Sequence, residues 1–146
     1  VQYGQVLKIS YVEVEEVQRG FIVVTHGRFG EALLKAIELV VGEIKNAASI
    51  SLERDDQCDE LGIRIEEAYG QLGKPEELVI FTDLLGGTPC NQGTLFGRKR
   101  NFYTLTGVNM PMLIEFIMAE TSEKLENVVG RCMTAANNGI MITSGK

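Results

Sequence analysis

His26 is the only histidine among the 146 residues of this chain, and it follows the apolar run Phe21-Ile22-Val23-Val24-Thr25 immediately before Gly27. Asp83 follows a second run of the same kind, Leu78-Val79-Ile80-Phe81-Thr82. A neutral imidazole carries one protonated and one free nitrogen. A carboxylate bonded to the protonated nitrogen fixes the tautomer and leaves the other facing outward as a nucleophile. If that nitrogen takes up a phosphoryl group, the same carboxylate offsets the charge on the ring. Asp83 is therefore expected to orient and stabilise His26 rather than to take a proton. A lone histidine is more often a satisfied core or surface group, but a place between a buried strand and a glycine turns the balance toward chemistry.

The turn Gly86-Gly87-Thr88-Pro89 supplies the other half of a phosphate site. Two glycines let the backbone approach an anion, and the first N–H groups of the following helix point at it. Thr88 adds a hydroxyl, and Thr88 and Pro89 read as the N-cap and first residue of that helix. No Gly-Lys-Ser/Thr follows, so the turn is not a nucleotide-binding loop. A helix starting at Gly30 is expected to aim a second set of N–H groups near His26.

These residues can meet only if the chain folds in a particular way. The run ending at His26 reads as a buried parallel strand, and Leu33, Ala36, Ile37, Val40 and Val41 recur behind it at helical spacing. Residues 47–52 read as a second strand, and Leu61, Ile65, Ala68, Tyr69 and Leu72 as a second helix. The run before Asp83 is the third strand, a helix then runs to Arg100, and residues 102–108 are predicted as the fourth strand. Asn109 reads as the cap of a helix carrying Leu113, Ile114, Ile117 and Met118 inward. Leu125, Val128, Val129, Cys132, Met133 and Ala136 mark the last helix, and residues 140–143 a final short strand. Strands alternating with helices give an α/β fold: an open, mainly parallel, doubly wound, flavodoxin-like sheet with helices on both faces. In the common strand order 2-1-3-4 the carboxyl ends of strands one and three lie side by side, where such sheets bind ligands. His26 and Asp83 would then be within reach.

Composition narrows the partners. A net charge of −6 with no long basic run excludes a nucleic-acid surface. Arg98-Lys99-Arg100 is the one basic cluster and reads as the positive end of a helix. Cys58, Cys90 and Cys132 are odd in number and widely spaced, which argues against disulfides and a zinc site and for a reducing cytoplasm. No acidic cluster suggests a magnesium site. No apolar run approaches the ~20 residues of a membrane span, and no signal peptide is expected. Residues 1–20 are read as an extension of unclear role, with strand-like alternation at 12–15, and residues 21–146 as the domain. A first residue of Val1 is read as that of a processed or excised piece.

Three stretches carry a specific resemblance: Val24-Thr25-His26-Gly27, Asp83-Leu84-Leu85-Gly86-Gly87-Thr88-Pro89-Cys90-Asn91 and Gly107-Val108-Asn109-Met110-Pro111-Met112. In order and spacing they resemble the signature stretches of IIA components of mannose-family bacterial sugar phosphotransferase systems, and the resemblance covers the chain from about Phe21 onward. It implies that His26 is phosphorylated, that Asp83 is its partner, and that Thr25, Gly27, Gly86, Gly87 and Thr88 surround the phosphoryl group. It further implies a phosphotransferase without cofactor, with phospho-HPr as donor and a IIB component as acceptor. The membrane is involved only indirectly, through the IIC and IID components. It also implies a homodimer exchanging the strand at 140–143. This chain has Leu84-Leu85 where some relatives carry a tryptophan.

Two other classes stay open. A IIA-like module could sense phosphorylation state within a regulatory protein, and a related phosphotransfer subunit serves dihydroxyacetone kinase. A flavodoxin-like cofactor binder ranks lower, because the predicted loops hold few aromatic residues and fold alone does not fix function.

Overall fold

The strands that carry His26 and Asp83 are neighbours. In the computed structural model, which describes residues 16–145, β1 (Arg19–His26) pairs in parallel with β3 (Glu77–Thr82), Val24 opposite Thr82. β2 (Ala47–Leu52) pairs with the other side of β1 and β4 (Tyr103–Leu105) with β3, so the parallel sheet has the order β2-β1-β3-β4. The expected alternation at 12–15 lies outside the described residues.

Side chains alternate across a strand, and both faces of this sheet are covered. Phe21, Val23, Val79, Phe81 and Leu105 pack against α1 (Phe29–Val41), α4 (Met110–Met118) and α5 (Leu125–Asn138). Ile22, Val24, Ile50, Leu78 and Ile80 pack against α2 (Cys58–Gln71) and α3 (Thr88–Arg100). Phe21, Phe81 and Phe116 meet edge to face at 5.3–5.8 Å between ring centres. Burial of each such side chain contributes roughly 1.5–3 kcal/mol. The same alternation directs Thr25 toward α1 and His26 toward α2 and α3.

Helix α3 sits unusually close to the sheet because glycines form its inner face. A Cβ on Gly93 would lie 3.0 Å from Ile80 Cγ2, and one on Gly97 2.8 Å from the Phe102 carbonyl oxygen. The Thr104 hydroxyl donates to the Gly93 carbonyl at 3.1 Å, tying the helix to β4. This close seat brings the start of α3 to the carboxyl edge of the sheet. At its other end, Arg98, Lys99 and Arg100 occupy the last turn, where cations complement the helix dipole. Arg100 also pairs with Glu66 and lies 4.3 Å over the Phe96 ring.

Several boundaries differ from the sequence expectation. β4 stops at Leu105 because Gly107 turns the chain at φ +74°, although Val108 N–H still reaches the Thr82 carbonyl at 3.0 Å. Gly87, extended at φ −70° and ψ 163°, is the N-cap of α3, and Thr88 is already helical. Proline is accepted one position later because either first-turn N–H would lack a helical partner anyway. Met118 and Met133 are exposed rather than inward, since Phe116 and Cys132 take the core positions of their turns. Residues 140–143 form no strand: a strand needs a neighbour, this segment has none among the described residues, and Ile140, Met141 and Ile142 are exposed.

At the opposite edge of the sheet, buried Arg19 holds Glu77 Oε2 at 2.7 Å and the Glu123 carbonyl at 2.6 Å, joining β1, β3 and the loop before α5. Asn109 makes a similar joint at the site edge. Its Oδ1 accepts from Met112 N–H at 3.0 Å, capping α4, while its Nδ2 donates to the Ala136 carbonyl at 3.1 Å near the end of α5. Asn109→Ala is expected to cost about 1–2 kcal/mol in urea denaturation, the size of a lost N-cap, and Asn109→Ser, which restores only the cap, less.

Candidate functional site

The site is built from the two strand ends outward. Asp83 Oδ2 lies 2.9 Å from His26 Nδ1 and also accepts the His26 backbone N–H at 2.9 Å. Asp83 Oδ1 accepts the Leu84 N–H at 2.9 Å. One oxygen thus binds the histidine twice and the other anchors the loop that follows. Burial pushes the Asp83 carboxyl up, but the bonds from the His26 backbone and ring, together with its own backbone N–H, outweigh it and hold the group below the ordinary aspartate value of 3.8. A carboxylate ionised at neutral pH can only accept, so Nδ1 of the neutral ring carries the proton and the lone pair is on Nε2. The ring is half exposed, with 48% of its side-chain surface accessible, whereas Asp83 is largely buried.

The glycine turn closes on the free side of the ring. Gly87 N–H donates to the Leu84 carbonyl at 3.0 Å, and Gly86 stands at φ +81°, as a four-residue turn with glycine third requires. A Cβ added to Gly87 would lie 2.8 Å from His26 Cε1 and 3.5 Å from Nε2, so only glycine fits against the ring. Thr88 and Cys90 contribute N–H groups that a helix start leaves without an intrahelical partner, next to that contact. An anion on Nε2 would meet these donors and the positive end of α3.

Not every expected residue faces this space. Thr25 is fully buried, and its hydroxyl accepts the Gly30 N–H at 2.8 Å and donates to the Gly27 carbonyl at 3.2 Å. It braces the turn between β1 and α1, and in doing so occupies the Gly30 N–H that was expected to face an anion. Gly27 is half-buried with φ +54° and carries the chain around that turn, its N–H bonded to the Leu52 carbonyl at 2.8 Å. Thr88 is at the site edge, with its hydroxyl 3.7 Å from Cys58 Sγ. Arg28, beside His26, is exposed at the start of α1.

Two contacts were missed from the sequence. Asn91 Nδ2 donates to the Gly86 carbonyl at 3.3 Å, pinning the turn from within α3. Its signal was present, since an amide side chain one turn into a helix is placed to reach back to the loop before it. The second is the backbone bond from His26 to Asp83, which no side-chain pattern reports. Among the described residues no group of three or more His, Cys, Asp and Glu could hold a metal ion, and no helix is long and apolar enough to cross a membrane.

Fold and site together define a class: a doubly wound α/β domain with a carboxylate-held imidazole facing a glycine turn and helix start at the carboxyl edge of its sheet. A family model described as "PTS system fructose IIA component" matches residues 20–133, and the chain belongs to this family of phosphotransferase-system IIA domains. The mannose-specific EIIAB component of Escherichia coli K12 is 25% identical over 127 residues, 86% of this chain and 39% of that protein. The chain thus spans about two fifths of that relative's length. The sorbose-specific EIIA component of Lacticaseibacillus casei is 28% identical over 113 residues, 77% of this chain and 81% of that protein. The crystal structure of an EIIA component from Streptococcus agalactiae superposes with a TM-score of 0.78 at 25% identity, covering 86% of this chain and 97% of the other.

Gly87→Ala is expected to fold but to push the ring from Asp83, seen as loss of the single Nδ1–H tautomer in the His26 nitrogen NMR spectrum. The carboxylate has its own signature. Because its native value lies below the ordinary one, its contribution is fully present above pH 3.8 and is lost as pH falls through the native value. Stability measured below that pH should therefore fall more steeply in the unaltered chain than in Asp83→Asn.

Proposed function

We propose that this chain is a phosphoryl carrier of a bacterial sugar phosphotransferase system, taking the group from phospho-HPr onto His26 and passing it to a IIB component for sugar uptake. The observation that carries this reading is the Nδ1 bond to Asp83, which leaves Nε2 free beside the Gly87 contact. The Nε2 lone pair attacks the phosphorus of the donor's phosphohistidine. The donor N–P bond breaks, and its electron pair returns to the donor ring. His26 keeps its Nδ1 proton, and the charge gained by the ring is offset by Asp83. Passage to the acceptor repeats the step in the other direction. Nitrogen-to-nitrogen transfer needs positioning and charge compensation, so the chain requires no cofactor.

In this reading Gly86, Gly87 and Thr88 surround the phosphoryl group, while Thr25 and Gly27 shape the loop beneath it. Residues 21–146 are the IIA domain and 1–20 an extension, the chain works in the cytoplasm, and the membrane is met only through IIC and IID. A homodimer exchanging residues 140–143 fits the exposed Ile140, Met141 and Ile142 and the edge position of β4. No feature of the site favours the regulatory or dihydroxyacetone-kinase readings.

Phospho-HPr should label the chain on His26, and His26→Ala should take up nothing. Asp83→Ala should slow labelling about ten- to a hundredfold, the worth of one hydrogen bond to a charged group. Label persisting in His26→Ala would refute the assignment.

A further inference from the structure

We infer that Asn91 and Cys90, neighbours in the first turn of α3, are positioning residues for the transfer at His26, because they hold Gly86 by its carbonyl and by its N–H; the inference rests on the carrier reading. The turn needs such a hold. Gly86 and Gly87 have no side chains to anchor them, and glycine is the residue whose backbone is most free to move. Gly86 stands at φ +81°, and Gly87 lies so close to the His26 ring that a Cβ on it would come within 2.8 Å of Cε1. A shift at Gly86 is therefore passed directly to the contact beside Nε2 and to the helix start behind it.

Helix α3 supplies the restraint from its own first turn. Asn91 takes both glycine carbonyls: its Nδ2 donates to Gly86 at 3.3 Å and its backbone N–H to Gly87 at 2.9 Å. In a turn that must offer donors to a phosphoryl group, the amide on Gly86 occupies an acceptor whose lone pairs would otherwise repel the anion. Asp83 Oδ1 accepts from Leu84 at 2.9 Å and the Leu84 carbonyl accepts from Gly87 at 3.0 Å, so the carboxylate that holds the ring is linked through the turn to Asn91. Cys90 works from the buried side. It is 7% exposed, and the Gly86 N–H and the hydroxyls of Thr82, Thr94 and Thr106 surround its sulfur. Burial pushes the thiol up, but those donors outweigh it and hold the group below the ordinary value of 9.0. A side chain at the third helical position reaching back to an N–H before the helix has the logic of a capping box, here with sulfur as the acceptor. Both residues act through Gly86 rather than on the ring.

The test uses the full chain and two donors: phospho-HPr, and phosphoramidate, which phosphorylates histidine without a protein surface. The saturated labelling rate should fall about three- to tenfold with both donors in Asn91→Leu and in Cys90→Ala, the worth of one hydrogen bond in the transition state. The KM for phospho-HPr should stay within about twofold, as it does when an interaction serves the transition state alone. Asn91→Gln, which keeps the amide on a longer arm, and Cys90→Ser, which keeps an acceptor, should recover most of the rate. Amide hydrogen exchange reads the hold without any phosphate: the Gly86 N–H should exchange faster in Cys90→Ala, while the amides of β1 stay as they were. An unaltered saturated rate in either Asn91→Leu or Cys90→Ala overturns the proposal. So does a loss confined to KM, an Asn91→Gln variant as slow as Asn91→Leu, or Gly86 exchange that Cys90→Ala leaves unchanged. Failure of both donors to label His26 in the unaltered chain would instead sink the carrier reading, and the positioning role with it, while leaving Gly86 exchange unaffected.

Discussion

One carboxylate oxygen organises this site. Asp83 Oδ2 binds the backbone N–H and the ring Nδ1 of the same residue, His26, so main chain and side chain are fixed from a single point. The backbone bond sets where the loop after β1 leaves the sheet. The ring bond sets which nitrogen is left to react. Hydrogen bonds to a charged acceptor are worth about 1.5–3 kcal/mol each, and the lowered Asp83 value reflects them winning over burial.

The fold exists, in functional terms, to hold that acceptor in place. The parallel pairing of β1 with β3 puts the two strand ends side by side, and hydrophobic layers on both faces leave the register little freedom. The opposite edge is fastened by Arg19, so the sheet cannot splay there. On the α2–α3 side, the glycines of α3 let its axis approach the strands, and its N-terminus reaches the imidazole as a consequence. A bulkier residue at Gly93 would lift the whole helix and move its N-terminus away from the His26 ring. Packing beneath the helix and chemistry at its tip are therefore the same constraint.

Much of this was legible in the sequence, for identifiable reasons. The runs before His26 and Asp83 are apolar and β-branched because both their faces are buried, and that pattern locates strand ends to within a residue. The strand order followed from the common topology, and the structure agrees. The cap at Asn109 was readable because the residue type and the following Pro111 have local meaning. What sequence reasoning missed depends on parity and space. Thr25 was grouped with the phosphate ligands, yet its position one residue before His26 turns it to the opposite face, where its hydroxyl serves the Gly27–Gly30 turn. The exclusion of a Cβ at Gly87 by a ring 61 residues earlier in the chain is a tertiary fact with no local signal. Residues 140–143 have strand-like composition, but a strand is a property of two segments, and this one has no neighbour among the described residues.

Everything about reactivity rests on which nitrogen is free, and nitrogen-15 and phosphorus-31 NMR of the phosphorylated chain read this directly. With Nδ1 held by Asp83, phosphorus should couple to Nε2 of His26 while Nδ1 keeps its proton. Phosphorus bonded to Nδ1 would mean that the ring leaves the carboxylate to react, and the geometry described here would not be the one that performs the transfer.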